Sequence, residues 1–170
     1  KLTRDIAGAQ VVIWPESATP FFYEEDDANG ERIRRVVRET GIGLLFGSDQ
    51  LERGARPKYY NAAFMLKPDG RTVAVYRKVQ LVPFGEYVPL KSLLFFVGAL
   101  VEGVADFSPG SEMVRLPIDG ATISTAICYE IVYPGLARWA VRGGSQLLTT
   151  ITNDAWYGYS SAPYQHFLQA

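Results

Sequence analysis

Cys128 is the one cysteine of the chain, and it follows the apolar, β-branched run ATISTAI at 121–127. A turn and a helix are expected after it. A thiol at a strand-to-helix turn stands open at a sheet edge, where the next backbone N–H groups can line an oxyanion site. A lone cysteine is equally a small buried hydrophobe, so the residues that accompany it must decide. Glu16 follows the run QVVIW and Pro15. The proline ends the strand and holds the carboxylate at its C-terminal edge, where ligand sites of α/β sheets gather. Lys78 follows a strand over 71–76 and precedes LVPFGE at 81–86, so it can offer an ammonium to a developing oxyanion. Glu86 is a second carboxylate or a surface acid. Glu130 either orients the site or caps the following helix through its dipole. Taken singly, these are a turn acid, a strand-end lysine and a buried thiol. Together, one Glu, one Lys and one Cys each just past a strand suffice for thiol acyl transfer without histidine.

The elements that must position them alternate along the chain. Residues 9–14 (AQVVIW) read as a buried strand ended by Pro15. Ile33, Val36 and Val37 have helical spacing within 30–40, and Gly41 is the stop. Residues 42–48 (IGLLFGS) read as a second buried strand. Runs 59–67 and 71–76 flank Pro68-Asp69-Gly70, and runs 113–118 and 121–127 flank Asp119-Gly120, two hairpin signals. A helix over 132–142, a strand over 146–152 and a helix from about Ser161 follow. This rhythm predicts an α/β layered fold with helices covering at least one sheet face. The stretch 81–108 fits poorly and reads as a binding loop or lid. Within it, 93–101 (LLFFVGALV) is too short to span a bilayer; it is a core helix or an apolar lid guiding acyl chains. Asn153 and Asp154 read as turn formers. His166, the one histidine, reads as packing or an exposed helix position, and a Cys-His dyad with Cys128 has only composition behind it.

Composition excludes several classes. The chain has 170 residues, 48% hydrophobic, with 17 Lys and Arg against 18 Asp and Glu. That is enough for one core. Aromatic content of 13% argues against disorder, and a net charge of -1 leaves no basic footprint for nucleic acid. One cysteine excludes a disulfide framework and a Cys-rich zinc site. No metal-ligand cluster or phosphate-cradling glycine loop is visible, so no metal or other cofactor is expected. The chain opens on Lys1 and closes in an uncapped helical run, so a piece of a larger protein is expected.

Trp14-Pro15-Glu16, Tyr76-Arg77-Lys78 running into LVPFGE, and Cys128-Tyr129-Glu130 resemble the carbon–nitrogen hydrolase (nitrilase) superfamily. Its Glu-Lys-Cys triad falls on Glu16, Lys78 and Cys128. Within it, WPESATPFF, YRKVQLVPFGEYVPL, ICYEIVYP and TNDAWYGYSSAPYQHFLQA are similar to the bacterial apolipoprotein N-acyltransferases. The likeness covers nearly the whole chain. It implies an α-β-β-α sandwich, incomplete here, formed by one partial domain over 1–170, and membrane spans elsewhere in the parent protein. It implies transfer of a fatty acyl chain from a phospholipid, through a Cys128 thioester, to the N-terminal diacylglyceryl-cysteine of an apolipoprotein. It places that domain on the periplasmic side of the inner membrane. Glu86 joins the triad as a fourth polar residue, with Tyr129, Glu130, Phe84 and Trp156 as substrate- or oxyanion-binding candidates. A soluble amidase or carbamoylase of the same superfamily is the alternative. A non-catalytic interaction domain on the same scaffold is disfavoured by the intact triad residues.

Overall fold

Side chains alternate faces along a strand, and the two long strands of this chain are apolar on both faces, so each needs covering twice. The computed structural model describes residue 3, residues 8–89 and residues 106–170. Strand β2 (Gly43–Glu52) and strand β3 (Lys58–Leu66) pair antiparallel from Leu44 opposite Leu66 to Glu52 opposite Lys58. Leu44, Phe46, Ala62, Phe64 and Leu66 share one core with Tyr23 and with Ile33 and Val37 of helix α1 (Asp27–Thr40). Leu45, Ala63 and Met65 share the other with Leu116, Ile123, Ile127 and Ile151 of a second sheet. One face is therefore under a helix and the other against a sheet.

The first sheet has the order β1-β2-β3-β4, with β1 at Val11–Ile13 and β4 at Thr72–Arg77. β1 runs parallel to β2, and α1 makes the crossover between them. The second sheet has the order β5-β6-β7, with β5 at Leu116–Ile118, β6 at Ala121–Ile127 and β7 at Leu147–Ile151. β6 and β7 are parallel, joined through helix α2 (Pro134–Arg142). Leu136, Ala137 and Ala140 of α2 line a small cavity with Ser124, Ala126 and Leu148, so α2 covers the outer face of this sheet. The layers run helix, sheet, sheet, helix, as in the nitrilase sandwich. Helix α3 (Ala162–Gln169) closes the described chain. Among the described residues no helix is long and apolar enough to cross a membrane. The apolar run 93–101 lies outside the described residues.

Several boundaries differ from the sequence reading for local reasons. α1 starts three residues early, at Asp27, because the Asp26 carboxylate accepts the Asn29 N–H at 3.0 Å and caps it. β1 is short and half-exposed rather than buried, with Ile13 40% exposed. β2 runs past Ser48 because Asp49, Gln50 and Glu52 find partners on β3. The expected helix over 132–142 is split. Cys128–Val132 forms a 3-10 turn, and α2 begins afresh at Pro134, where a missing N–H costs nothing.

Candidate active site

Glu16, Lys78 and Cys128 each leave a strand on the same side of the sandwich, after β1, β4 and β6. Gly47 lets the first of them come close. A Cβ there would sit 2.6 Å from Glu16 Cα, so β2 admits the turn only with glycine at that point. Glu16 is buried, and both carboxylate oxygens are engaged. Asn61 Nδ2 donates to Oε1 at 2.7 Å, and the Asn153 backbone N–H donates to Oε2 at 2.9 Å.

Lys78 is 1% exposed, and its Nζ donates to Glu86 at 2.9 Å. Its backbone is held at both ends. The Lys78 N–H donates to the Asn61 carbonyl at 2.8 Å, and its own carbonyl accepts the Gly110 N–H at 2.8 Å. The Glu86 carboxylate also accepts the Val82 N–H at 2.8 Å and Asn61 Nδ2 at 2.9 Å. The Asn61 amide thus bridges the two carboxylates.

Cys128 stands at a sharp turn with φ 53°, in the left-handed region that costs a side chain energy. Burial pushes its thiol up, and the negative charge of Glu16 adds to that. The Lys78 ammonium, the Thr152 hydroxyl and the Tyr129 backbone N–H pull it the other way. The sulfur therefore lies within the electrostatic reach of both Glu16 and Lys78. A thiol raised in this way needs a base to become nucleophilic. Among the described residues two other non-glycines have positive φ, Ser17 at 48° and Phe84 at 62°. Both lie within two positions of a site carboxylate.

The remaining candidates fall in different places. Glu130 is 1% exposed, and its carboxylate accepts Tyr76 Oη, the Val79 N–H at 2.8 Å, the Gln80 N–H at 3.0 Å and the Ile127 N–H at 2.8 Å. Burial pushes its carboxyl above the ordinary range against the pull of those bonds. Four protein donors occupy it, so it clamps the end of β4 to the end of β6 and fixes where Lys78 and Cys128 emerge. Tyr129 packs edge-on to Tyr133 and stacks on the His166 ring. Phe84 is 54% and Trp156 80% exposed, both on tight turns. Among the described residues no cluster of His, Cys, Asp and Glu could hold a metal ion.

Sequence reasoning missed Asn61 and Thr152. The one signal for Asn61 was a polar residue inside KYYNAAFML. Thr152 gave none, since its place depends on β7 lying parallel to β6. His166 is buried, with Nδ1 3.0 Å from Asp154 Oδ1. Its ring packs against those of Tyr129 and Tyr157, so the packing reading fits and the exposed one does not.

Residues 2–170 match the carbon-nitrogen hydrolase family. An apolipoprotein N-acyltransferase of Geobacter metallireducens is 46% identical over 159 residues, covering 93% of this chain and 30% of that protein. One from Brucella suis is 39% identical over 166 residues, covering 94% and 31%. The chain thus spans about a third of the length of these curated relatives. Among solved structures, a cysteine-to-alanine mutant of the Nesterenkonia AN1 amidase from the nitrilase superfamily superposes with a TM-score of 0.64 at 25% identity, over 94% of this chain and 58% of that one. Another structure of that amidase, with a TM-score of 0.61 and 25% identity over 89% and 57%, carries the acetamide moiety of fluoroacetamide on its active-site cysteine.

Proposed function

The chain belongs to the carbon-nitrogen hydrolase family, and from that premise we propose that it is the acyl-transfer domain of an apolipoprotein N-acyltransferase with a Glu16-Lys78-Cys128 triad. One observation carries the chemistry: a half-buried thiol on a left-handed turn, acted on by the charges of both Glu16 and Lys78. The name of relatives such as the Geobacter protein, 46% identical, supports an apolipoprotein as the acceptor, and the family resemblance implies a phospholipid as the acyl donor.

Glu16 takes the Cys128 thiol proton, and the thiolate attacks the ester carbonyl of a phospholipid. Lys78 Nζ and the backbone N–H of Tyr129 stabilise the tetrahedral oxyanion. The ester C–O bond breaks, Glu16 returns its proton to the leaving lysophospholipid alkoxide, and a Cys128 thioester remains. The α-amino group of the apolipoprotein's diacylglyceryl-cysteine then attacks. Glu16 takes the amine proton and gives it to the departing thiolate. Glu86 holds Lys78 in place. Phe84, Tyr129 and Trp156 line the approach for lipid. No cofactor takes part. The domain faces the periplasm on the inner membrane, anchored by spans outside these residues.

Intact mass of the full-length protein after incubation with phosphatidylethanolamine tests the reading. A fatty-acyl gain, lost with hydroxylamine and absent in Cys128→Ser, is expected. Absence of that gain, with Cys128 still alkylated by iodoacetamide, overturns it. The second reading, a small-amide hydrolase, then takes its place, favoured by the likeness to the Nesterenkonia amidase.

A further inference from the structure

We propose that Asp154 is a positioning residue for acyl transfer: one oxygen of its carboxylate ties the turn that holds Glu16 to the His166 ring that holds Tyr129. The inference rests on the roles assigned above to Glu16 and to the Tyr129 N–H. β6 and β7 run parallel with Ile127 opposite Ile151, so Cys128 and Thr152 leave the two strands side by side. Three consecutive residues then make three different connections. The Thr152 hydroxyl donates to Asp154 Oδ1 at 2.7 Å. The Asn153 backbone N–H donates to Glu16 Oε2 at 2.9 Å, across 137 positions of chain. Asp154 Oδ1 lies 3.0 Å from Nδ1 of His166 on α3.

These connections have a chemical direction. A carboxylate oxygen only accepts, so the Thr152 hydroxyl and His166 Nδ1 are both donors to it. The Asn153 side chain is occupied elsewhere: its Oδ1 accepts the Ala155 N–H and caps the 3-10 turn Asp154–Tyr157. That cap fixes one side of the turn, and the Asp154 carboxylate fixes the other. Together they aim the Asn153 N–H at the base.

The second arm runs through His166. Its ring is 7% exposed and stacks on the Tyr129 ring, with centroids 6.2 Å apart and 28° between the planes. The Tyr157 ring meets it edge-on at 6.3 Å. Tyr129 belongs to the 3-10 turn Cys128–Val132, so the ring that His166 holds and the backbone N–H that faces the oxyanion are parts of one rigid turn. His166 Nε2 is buried with no partner among the described residues. Among those residues the bond to Asp154 is the polar anchor of the imidazole, and losing it frees the surface on which Tyr129 rests.

The test uses the full-length protein and two acyl donors. Phosphatidylethanolamine reads the proposed transfer, and p-nitrophenyl butyrate forms the same kind of oxyanion without a lipid. Asp154→Ala is expected to lower kcat about 10–10²-fold on both, with KM unchanged. Asp154→Asn should restore most of the rate, because its amide oxygen accepts from the same two donors. His166→Phe keeps a ring against Tyr129 and loses the Nδ1 donor, whereas His166→Asn keeps a donor and loses the ring. Each should lose part of the rate. Asp154→Ala combined with His166→Phe should fall no further than Asp154→Ala alone, because both cut one path. Additive losses in that double variant overturn the proposal. So does Asp154→Asn as slow as Asp154→Ala, or a thermal midpoint that drops while kcat per folded molecule holds. Abolished activity in both His166 variants, with the acid limb of the pH–rate profile gone, also overturns it by making the histidine itself the base. An Asp154-dependent rate on the ester, in a protein that takes nothing from phosphatidylethanolamine, supports the positioning role while overturning the acyl donor assigned above.

Discussion

Glu16 acts on Cys128 in two opposed ways, and a single substitution separates them. Its negative charge helps hold the thiol up, yet in the mechanism proposed above it is the group that removes the thiol proton. Glu16→Gln should therefore let Cys128 alkylate faster at neutral pH while acyl transfer falls about 10²–10⁴-fold. Slower alkylation together with lost transfer would refer both effects to misplacement of the turn. Asn61 is the residue on which both carboxylates lean. Asn61→Ala strips one donor from each and should lower stability by about 1–3 kcal/mol, with activity lost beyond that. Asn61→Asp should be worse, because it sets a third carboxylate against Glu16 and Glu86. Urea unfolding of the two variants beside transfer rates checks both. Of these residues, the acid, the lysine and the thiol could be read from sequence because each follows a strand whose end is marked by Pro15, by Arg77 or by a change of period. Asn61 could not, since inside KYYNAAFML its amide is one polar break in an apolar run, and its purpose lies in two carboxylates brought to it from distant chain.

At the scale of elements, the site is a matter of strand ends held in register by groups that do no chemistry themselves. Glu130 takes the Val79 and Gln80 N–H groups from the end of β4 and the Ile127 N–H from the end of β6. Glu130→Gln turns part of that acceptor into a donor facing backbone N–H groups, and should cost about 2 kcal/mol or more. Its effect on kcat should exceed its effect on KM, because it displaces Lys78 and Cys128 relative to each other. The opposite split would mark Glu130 as a substrate contact instead. In sequence Glu130 could be read equally as a cap or an orienting group. Its partners at 79 and 80 are invisible until the sheets stack. The hairpins about Pro68-Asp69-Gly70 and Asp119-Gly120 were legible because turn chemistry is local. The early start of α1 at Asp27, capped by Asp26, and the break before Pro134 were equally local, and needed only closer attention to capping and to proline.

For the whole molecule, the gathering of carboxylates has an energetic cost that pH reveals. Asp49 on β2 lies opposite Asn61. Burial raises its carboxyl above the ordinary 3.8, and the nearby Glu16 and Glu86 charges raise it further. The folded state therefore holds that proton more tightly than the unfolded chain. Its contribution to stability is complete below about 3.8 and is lost as pH rises through the raised value. Asp49→Asn should accordingly raise the thermal midpoint at pH 7 and give no gain at low pH. An equal gain at both would mean that the charge is not its cause. The edge strand β7 leaves Leu147 49% and Leu148 44% exposed, so its amides should exchange faster than those of the inner strand β6. The layered class was legible from alternating elements, but the face each sheet turns to the other depends on pairing that no local pattern contains. The single Asn61 side chain carries a further consequence. Its two amide protons lie one against Glu16 and one against Glu86. Labelled with ¹⁵N, that one group is a two-channel spectrometer inside the site. One line should move alone when the base accepts a proton, and the other when the lysine's partner does, so the order of events can be read without touching the sulfur.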